Sequence, residues 1–444
     1  MPLSAVISAI RTASPAHFAS NRGVPVDLNF WLDRCWSRRW GLTALLVAAL
    51  YGGTLTFGLT YDDLLLVRNW PLASLLAGWH EPWSERFYRP LVNYFFTAEY
   101  HLFGAAGWGY HLVNLALAVV IAGLYQEILS GFRVRAFPAL LCALLWLALP
   151  GNGVIITWIS AQIDLFALVF MLASFWLAQR AAATEHGRAG HILLSLFMAA
   201  LAYACKEISV TLPLLIAAWL VILRPVSRLR ALQIALPHFA LWSGYFLWRA
   251  MVLGARTVGE RGFSEQPWVA ARPLAGLAGM ALRYLEALVS TVFPVFLMPS
   301  WLTAILLLTL LLLLLRWSGR GALLQAGRPG LLLAAFALLA ALPNLLDASP
   351  RLLGVPTLAT AAMTVLIWSA SFRRMARRRP QLLLLAGLLL LSYVHINGRV
   401  QDCFTQPVYQ STLQYDVNDR RRWPFSDLHN VRYHLRETLL KMVQ

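Results

Sequence analysis

Apolar runs of about twenty residues recur along the whole chain, and short basic clusters separate them. The first, "GLTALLVAALYGGTLTFGLT", is uncharged and follows Arg34, Arg38 and Arg39. Others lie at about 108–129, 136–150, 154–179, 191–205, 208–223 and 232–253. Four more follow at about 300–316, 330–346, 352–371 and 381–397. Hydrocarbon offers the backbone no water, so such runs must be helices. The pattern predicts an all-α polytopic membrane protein with about eleven transmembrane helices. The stretch 274–299 stands apart, because Arg283 and Glu286 interrupt it and Pro294 and Pro299 close it. It reads as interfacial or re-entrant.

The basic clusters orient the spans. Arg133 and Arg135, then Arg180 and Arg188, then Arg224, Arg228 and Arg230, and finally "FRRMARRRP" fall on alternate turns, the cytoplasmic ones. Residues 1–40 then form a cytoplasmic segment, 41–398 the membrane domain, 60–107 its extracytoplasmic first loop, and 399–444 an extracytoplasmic tail. Of the 20 Asp and Glu residues, only Asp27, Asp33, Glu127 and Glu185 fall on the cytoplasmic side. The outer face carries the acids and the longer loops, so a site is expected there.

Composition agrees. The chain is 59% hydrophobic and 13% charged, against about 25% charge in soluble domains. The net charge of +17 sits in clusters between apolar runs, which excludes a nucleic-acid partner. Cys35, Cys142, Cys205 and Cys403 lack metal-binding spacing and read as free thiols, with a Cys205–Cys403 pair as the alternative. The first 40 residues lack the order of a removable signal. The tail stretch "DLHNVRYHLRETLLKMV" reads as one amphipathic helix.

Charged groups mark the outer boundaries. Asp62 and Asp63 stand side by side in "LTYDDLLLVRNW", where like charges resist joint ionisation. The same loop interleaves Trp70, Trp79, Trp83, Phe87, Tyr88, Tyr94 and Tyr100 with Arg68, Arg86 and Arg89. Such rings hold helices flat at headgroup level. Asp164 sits in "WISAQIDLF", Lys206 and Glu207 in "CKEISVTLP", and Asp347 and Arg351 in "DASPRLLGVP". A base beside several cations suits transfer of a sugar from a lipid phosphate. The base takes the acceptor's proton, and the cations stabilise the departing phosphate. No spaced second acidic motif or histidine cluster completes a hard-cation site, so no metal is expected. A membrane transporter or lipid flippase using the intramembrane charges is the alternative. The lack of an inverted pair of broken helices weighs against it.

In their order, "YDD", "FYRPL", "GYHLVN", "WISAQIDLFA", "CKEISVTLP" and "PRLLGVP" resemble the GT-C glycosyltransferases. The resemblance is closest to the protein O-mannosyltransferase branch and its bacterial relatives, and it covers about residues 55–360. It implies an inverting transferase that uses a polyprenyl-phosphate sugar as substrate, without a cofactor. The acceptor is a hydroxyl of a protein, glycan or lipid. The location implied is the bacterial inner membrane, with the site facing the periplasm. The first acid of the pair, Asp62, falls on the base, and Asp63 on its acidic neighbour. Arg89, Lys206, Glu207 and Arg351 fall on positions expected near the lipid phosphate, and His111 and Asp164, in the accompanying motifs, are expected to bind substrate with them. The chain departs from the branch at Gln162, where an arginine is common. In "RLLGVP" it lacks two tyrosines, and no repeat domain follows.

Reporter fusions after Arg133, Arg230 and Arg377 are predicted to read as cytoplasmic, and one after Gln266 as external. A cytoplasmic signal at Gln266 overturns the topology from that point.

Overall fold

The computed structural model describes residues 39–60, 63–83, 87–132, 134, 136–223 and 225–254, with helical turns at 332–333, 335–336, 339–340, 357–359 and 361–362. Asp62, Arg351, the segment 274–299, most of the four later runs, Cys403 and the tail lie outside the described residues. The count of eleven spans depends on them.

The described residues contain helices and no strand. Helix α1 (Arg39–Tyr51) ends in a 3-10 turn, Gly52–Thr56. The first loop carries α2 (Asp63–Leu66), α3 (Leu72–Ala77) and α4 (Val92–Phe103). The bundle continues with α5 (Gly107–Gly131), α6 (Ala136–Ala148), α7 (Pro150–Thr157) and α8 (Gln162–Ala183). It closes with α9 (Arg188–Cys205), a 3-10 turn Glu207–Thr211, α10 (Leu212–Leu223) and α11 (Arg228–Leu253). Among the described residues, Gly107–Gly131, Ile159–Ala183 and Arg188–Cys205 are long and apolar enough to cross a membrane. On α9 and α11, Leu193, Phe197, Leu236, Leu247 and Met251 are exposed. A belt of this kind belongs against lipid and not water. The protein is an integral membrane protein.

One expected span is divided. The run 154–179 is not one helix. The chain breaks at Trp158, whose backbone is extended, and a short 3-10 turn leads into α8. A break in an apolar setting frees carbonyls that need donors. Asn114 on α5 supplies them, its Nδ2 donating to Ile156 O at 3.1 Å and Trp158 O at 3.3 Å. The preceding break is treated alike, with Asn152 Nδ2 donating to Trp146 O at 2.7 Å.

Helix α1 runs antiparallel to α5 and α8 antiparallel to α9, while α5 and α8 run parallel. At one end Arg39 opens α1 and pairs with Glu127 near the end of α5, and Arg180 near the end of α8 lies 3.9 Å from the same carboxylate. Close approach there depends on small residues. A Cβ on Gly123 would meet the Trp40 ring at 2.0 Å. Between α8 and α9, Ser174 Oγ donates to Ser195 O at 2.8 Å. Ser195 Oγ lies 2.8 Å from Nε2 of His238 on α11. Such hydroxyls let helices touch in a setting where apolar burial gives little drive. The main core, around Trp146, Tyr51 and Tyr203, fills the bundle. A second core of Leu66, Val67, Val92, Phe96, Tyr110, Ile159 and Ile163 lies under the first loop. It seats α2 and α4 on the starts of α5 and α8.

Candidate active site

The motif segments meet at the opposite end, where α1 and α9 finish and α5 and α8 begin. Thr60 and Asp63 start the cluster. Asp63 N donates to Thr60 O at 3.0 Å, and Thr60 N returns a bond to Asp63 Oδ2 at 2.9 Å. This reciprocal pattern belongs to helix starts and explains a helix as short as α2. Thr60 Oγ1 adds a contact at 3.1 Å. The other oxygen, Oδ1, accepts from Ser160 N at 2.7 Å and Ser160 Oγ at 2.5 Å. One carboxylate thus joins the first loop to the turn before α8. Asp63 is 1% exposed. Burial pushes its carboxyl up to about 7, against the downward pull of these donors.

Asp164 follows in the first turn of α8, where a helix N-terminus favours a negative charge. Lys206 Nζ lies 2.6 Å from each of its carboxylate oxygens, and both side chains are buried. Lys206 is extended at the end of α9, so its side chain turns back onto α8. Glu207 faces another way. It receives Arg89 through Nε at 3.0 Å and Nη2 at 2.8 Å, a fork geometry that gives direction as well as strength. Arg89 also lies over the Phe87 ring at 4.0 Å. The backbone adds a tie, Leu91 N donating to Ala204 O at 3.2 Å. The "RPL" and "KE" motifs are therefore one local assembly.

His111 lies on α5 beneath this layer. It is buried, meets Phe57 edge-on with ring centroids 5.9 Å apart, and neither ring nitrogen makes a well-aligned hydrogen bond. The approach of α5 to the first loop needs glycine. A Cβ on Gly107 would lie 2.6 Å from Phe57 O, and one on Gly109 would enter the Phe103 ring at 2.2 Å.

The structure thus brings together Asp63, Arg89, Asp164, Lys206 and Glu207, with His111 below. Asp62 and Arg351 lie outside the described residues. The sequence reading missed the partners. Thr60 and Ser160 are uncharged, although the Thr-x-x-Asp spacing was a signal for Thr60. It also missed Glu99, a buried acid on α4 set at helical spacing from Phe96 and Phe103, and Arg249, buried near the end of α11. Cys205 is a free, buried thiol. Among the described residues no cluster of His, Cys, Asp and Glu could hold a metal ion.

Several curated proteins match part of the chain. Mouse protein O-mannosyl-transferase TMTC3 is 26% identical over 203 residues, 43% of this chain and 21% of the relative. Human protein O-mannosyl-transferase TMTC4 is 30% identical over 147 residues, 29% of this chain and 20% of the relative. Protein O-mannosyl-transferase Tmtc1 of Drosophila melanogaster is 28% identical over 196 residues, 41% of this chain and 22% of the relative. The chain is similar to protein O-mannosyl-transferases. This is the GT-C branch that the ordered motifs resemble. The chain spans about a fifth of the length of these relatives. No protein-family model matches the chain, and no solved structure does.

The carboxylate tie generates a test. Asp63→Asn replaces an acceptor oxygen by a donor that must face Ser160 or Thr60. Unsatisfied buried groups cost about 1–3 kcal/mol, so the variant should unfold at lower temperature whatever its activity. Combined with Ser160→Ala, its effect should be less than additive. Unchanged thermal unfolding of Asp63→Asn overturns the tie.

Proposed function

We propose that the chain is an integral-membrane inverting glycosyltransferase that moves a sugar from a polyprenyl-phosphate carrier to an acceptor hydroxyl on the extracytoplasmic face. The observation that carries the reading is the convergence of the motif segments on one end of the bundle, in a chain similar to named O-mannosyl-transferases. Asp62 is the general base in this reading. Its neighbour Asp63 has both oxygens committed to Thr60 and Ser160, which leaves Asp62 as the acid of the pair available for proton transfer. The base takes the acceptor hydroxyl proton as oxygen attacks the anomeric carbon. The bond to phosphate breaks, and phosphate leaves with the electron pair.

Arg89, Lys206 and Arg351 supply the positive field for that phosphate. Arg89 and Lys206 are held by Glu207 and Asp164, so their positions are set before the donor arrives, and preorganised charge is what stabilises a transition state. His111 and Asp164 support the floor of the site. No metal is needed. The Asp63 oxygens are filled by donors, and those of Asp164 face Lys206, so these acids do not present the oxygen array that a hard cation requires. The membrane is the bacterial inner membrane and the site faces the periplasm. The acceptor is a protein, glycan or lipid hydroxyl.

Transfer from purified polyprenyl-phosphate sugars, with donor affinity measured separately, tests the roles. Asp62→Asn should lower turnover about 10²–10⁴-fold while donor binding survives. Arg351→Ala should weaken both, because it removes charge that the ground-state phosphate already feels. If Asp62→Asn and Asp63→Asn both keep full turnover, the mechanism fails and transport becomes the reading to pursue. Treatment with EDTA should leave transfer unchanged. Activity abolished by EDTA and restored by magnesium or manganese refutes the metal-free site.

A further inference from the structure

Glu99 is an acid that the mechanism above does not use. It lies on α4 among Phe96 and Phe103 and is 6% exposed. Across the small core from it stands Gln162, the first residue of α8, fully buried and in hydrogen-bonding contact with the Glu99 carboxyl. Gln162 Nε2 also reaches Tyr110 O at 3.4 Å, so the amide is wedged between α4, α5 and α8.

The hydrogens do not balance if Glu99 is ionised. Gln162 Oε1 and Glu99 Oε2 are both acceptors, both are buried, and neither has a donor. Buried acceptors without donors are costly, and an ionised one more so. A single proton on Glu99 removes both deficits, because a neutral carboxyl offers an O–H that the amide oxygen accepts. The titratable group facing it across the core is Tyr110 on α5. Among the described residues, neither Asp164 on α8 nor Asp63 on α2 nor any cation shifts it.

We propose that Glu99 is a positioning residue, held as a neutral carboxylic acid whose proton binds Gln162 and fixes the first turn of α8 against the first loop. That turn carries Asp164, and Ser160, two residues before it in the bend, holds Asp63. The Glu99 proton therefore steadies the ties on which the candidate site stands. Burial pushes the Glu99 carboxyl up to about 8, so the proton is retained at neutral pH and lost above it.

Glu99→Gln is the test, because its amide offers an N–H to Gln162 at every pH. Two readouts use the purified full chain and are independent of any enzymatic activity. In infrared difference spectra, wild type minus Glu99→Gln, which cancel the Asp63 carboxyl common to both, a protonated-carboxyl band should appear and vanish with a midpoint near pH 8. In thermal unfolding, the folded chain holds this proton more tightly than the unfolded one. Wild-type stability should therefore decline relative to Glu99→Gln as pH rises from about 4.3, and level off above about 8. Gln162→Met provides a second variant. It should keep the band and shift it toward that of an acid without a hydrogen bond.

A third readout rests on the function proposed above. With polyprenyl-phosphate-mannose as donor, kcat should fall on the alkaline side in the wild type but not in Glu99→Gln, with KM unchanged. A neutral-pH spectrum without the band, in the wild type and in Gln162→Met, overturns the neutral acid. An alkaline limb that persists in Glu99→Gln overturns its positioning role. If the band and the stability difference appear while no variant transfers sugar, the neutral acid stands and the glycosyltransferase reading falls.

Discussion

A carboxylate taken out of water has to be given donors, and Asp63 is given them by two segments far apart in sequence. Two come from Thr60, at the end of the first apolar run, and two from Ser160, in the break before α8. The rest of the outer layer hangs on this crossing. Ser160 can donate its backbone N–H because the helix is interrupted at Trp158. The interruption is tolerable because Asn114 covers the carbonyls it frees. Thr60 is in place because α5 comes close to residues 57–58, which Gly107 permits. Each accommodation answers the need to satisfy polar backbone in an apolar setting.

The same economy governs the charges. Lys206 and Asp164 are buried together, and Arg89 is bound by Glu207. Such pairs contribute little net stability, since desolvation offsets attraction, but removing one partner strands the other at about 3–5 kcal/mol. Their value here is positional. A side chain as long as lysine loses its freedom once its ammonium is fixed, and the loss falls on folding rather than on substrate binding. Buried, fixed charges act more strongly on a neighbouring group than solvated ones do.

The motif alignment was legible because each signal is a charged residue at the edge of an apolar run. Asp63, Asp164, Lys206, Glu207 and Arg89 announce themselves in that way. Their contacts were not legible. Two adjacent aspartates look equivalent in sequence, and only the contacts of Asp63 with Thr60 and Ser160 show that its oxygens are spent. Gln162 appeared as a departure from a pattern, whereas in the fold it is the companion of Glu99. The span expected at 154–179 begins later, at Ile159, because hydropathy counts apolar residues and takes no account of whether their backbone stays helical. Ile155, Ile156, Trp158 and Ile159 are as apolar in a bend as in a helix.

By itself the sequence determined the helical class, because a backbone in hydrocarbon has few ways to satisfy itself. It also determined which end would carry the acids. Only the tertiary structure decided which acid met which cation, where the fourth run broke, and which buried polar groups were left to one another. Those outcomes depend on distances between residues remote in the chain, such as the 97 positions between Asp63 and Ser160. A hydrogen bond is made or lost within a few tenths of an ångström, and no local pattern of apolar and polar positions encodes a distance of that kind.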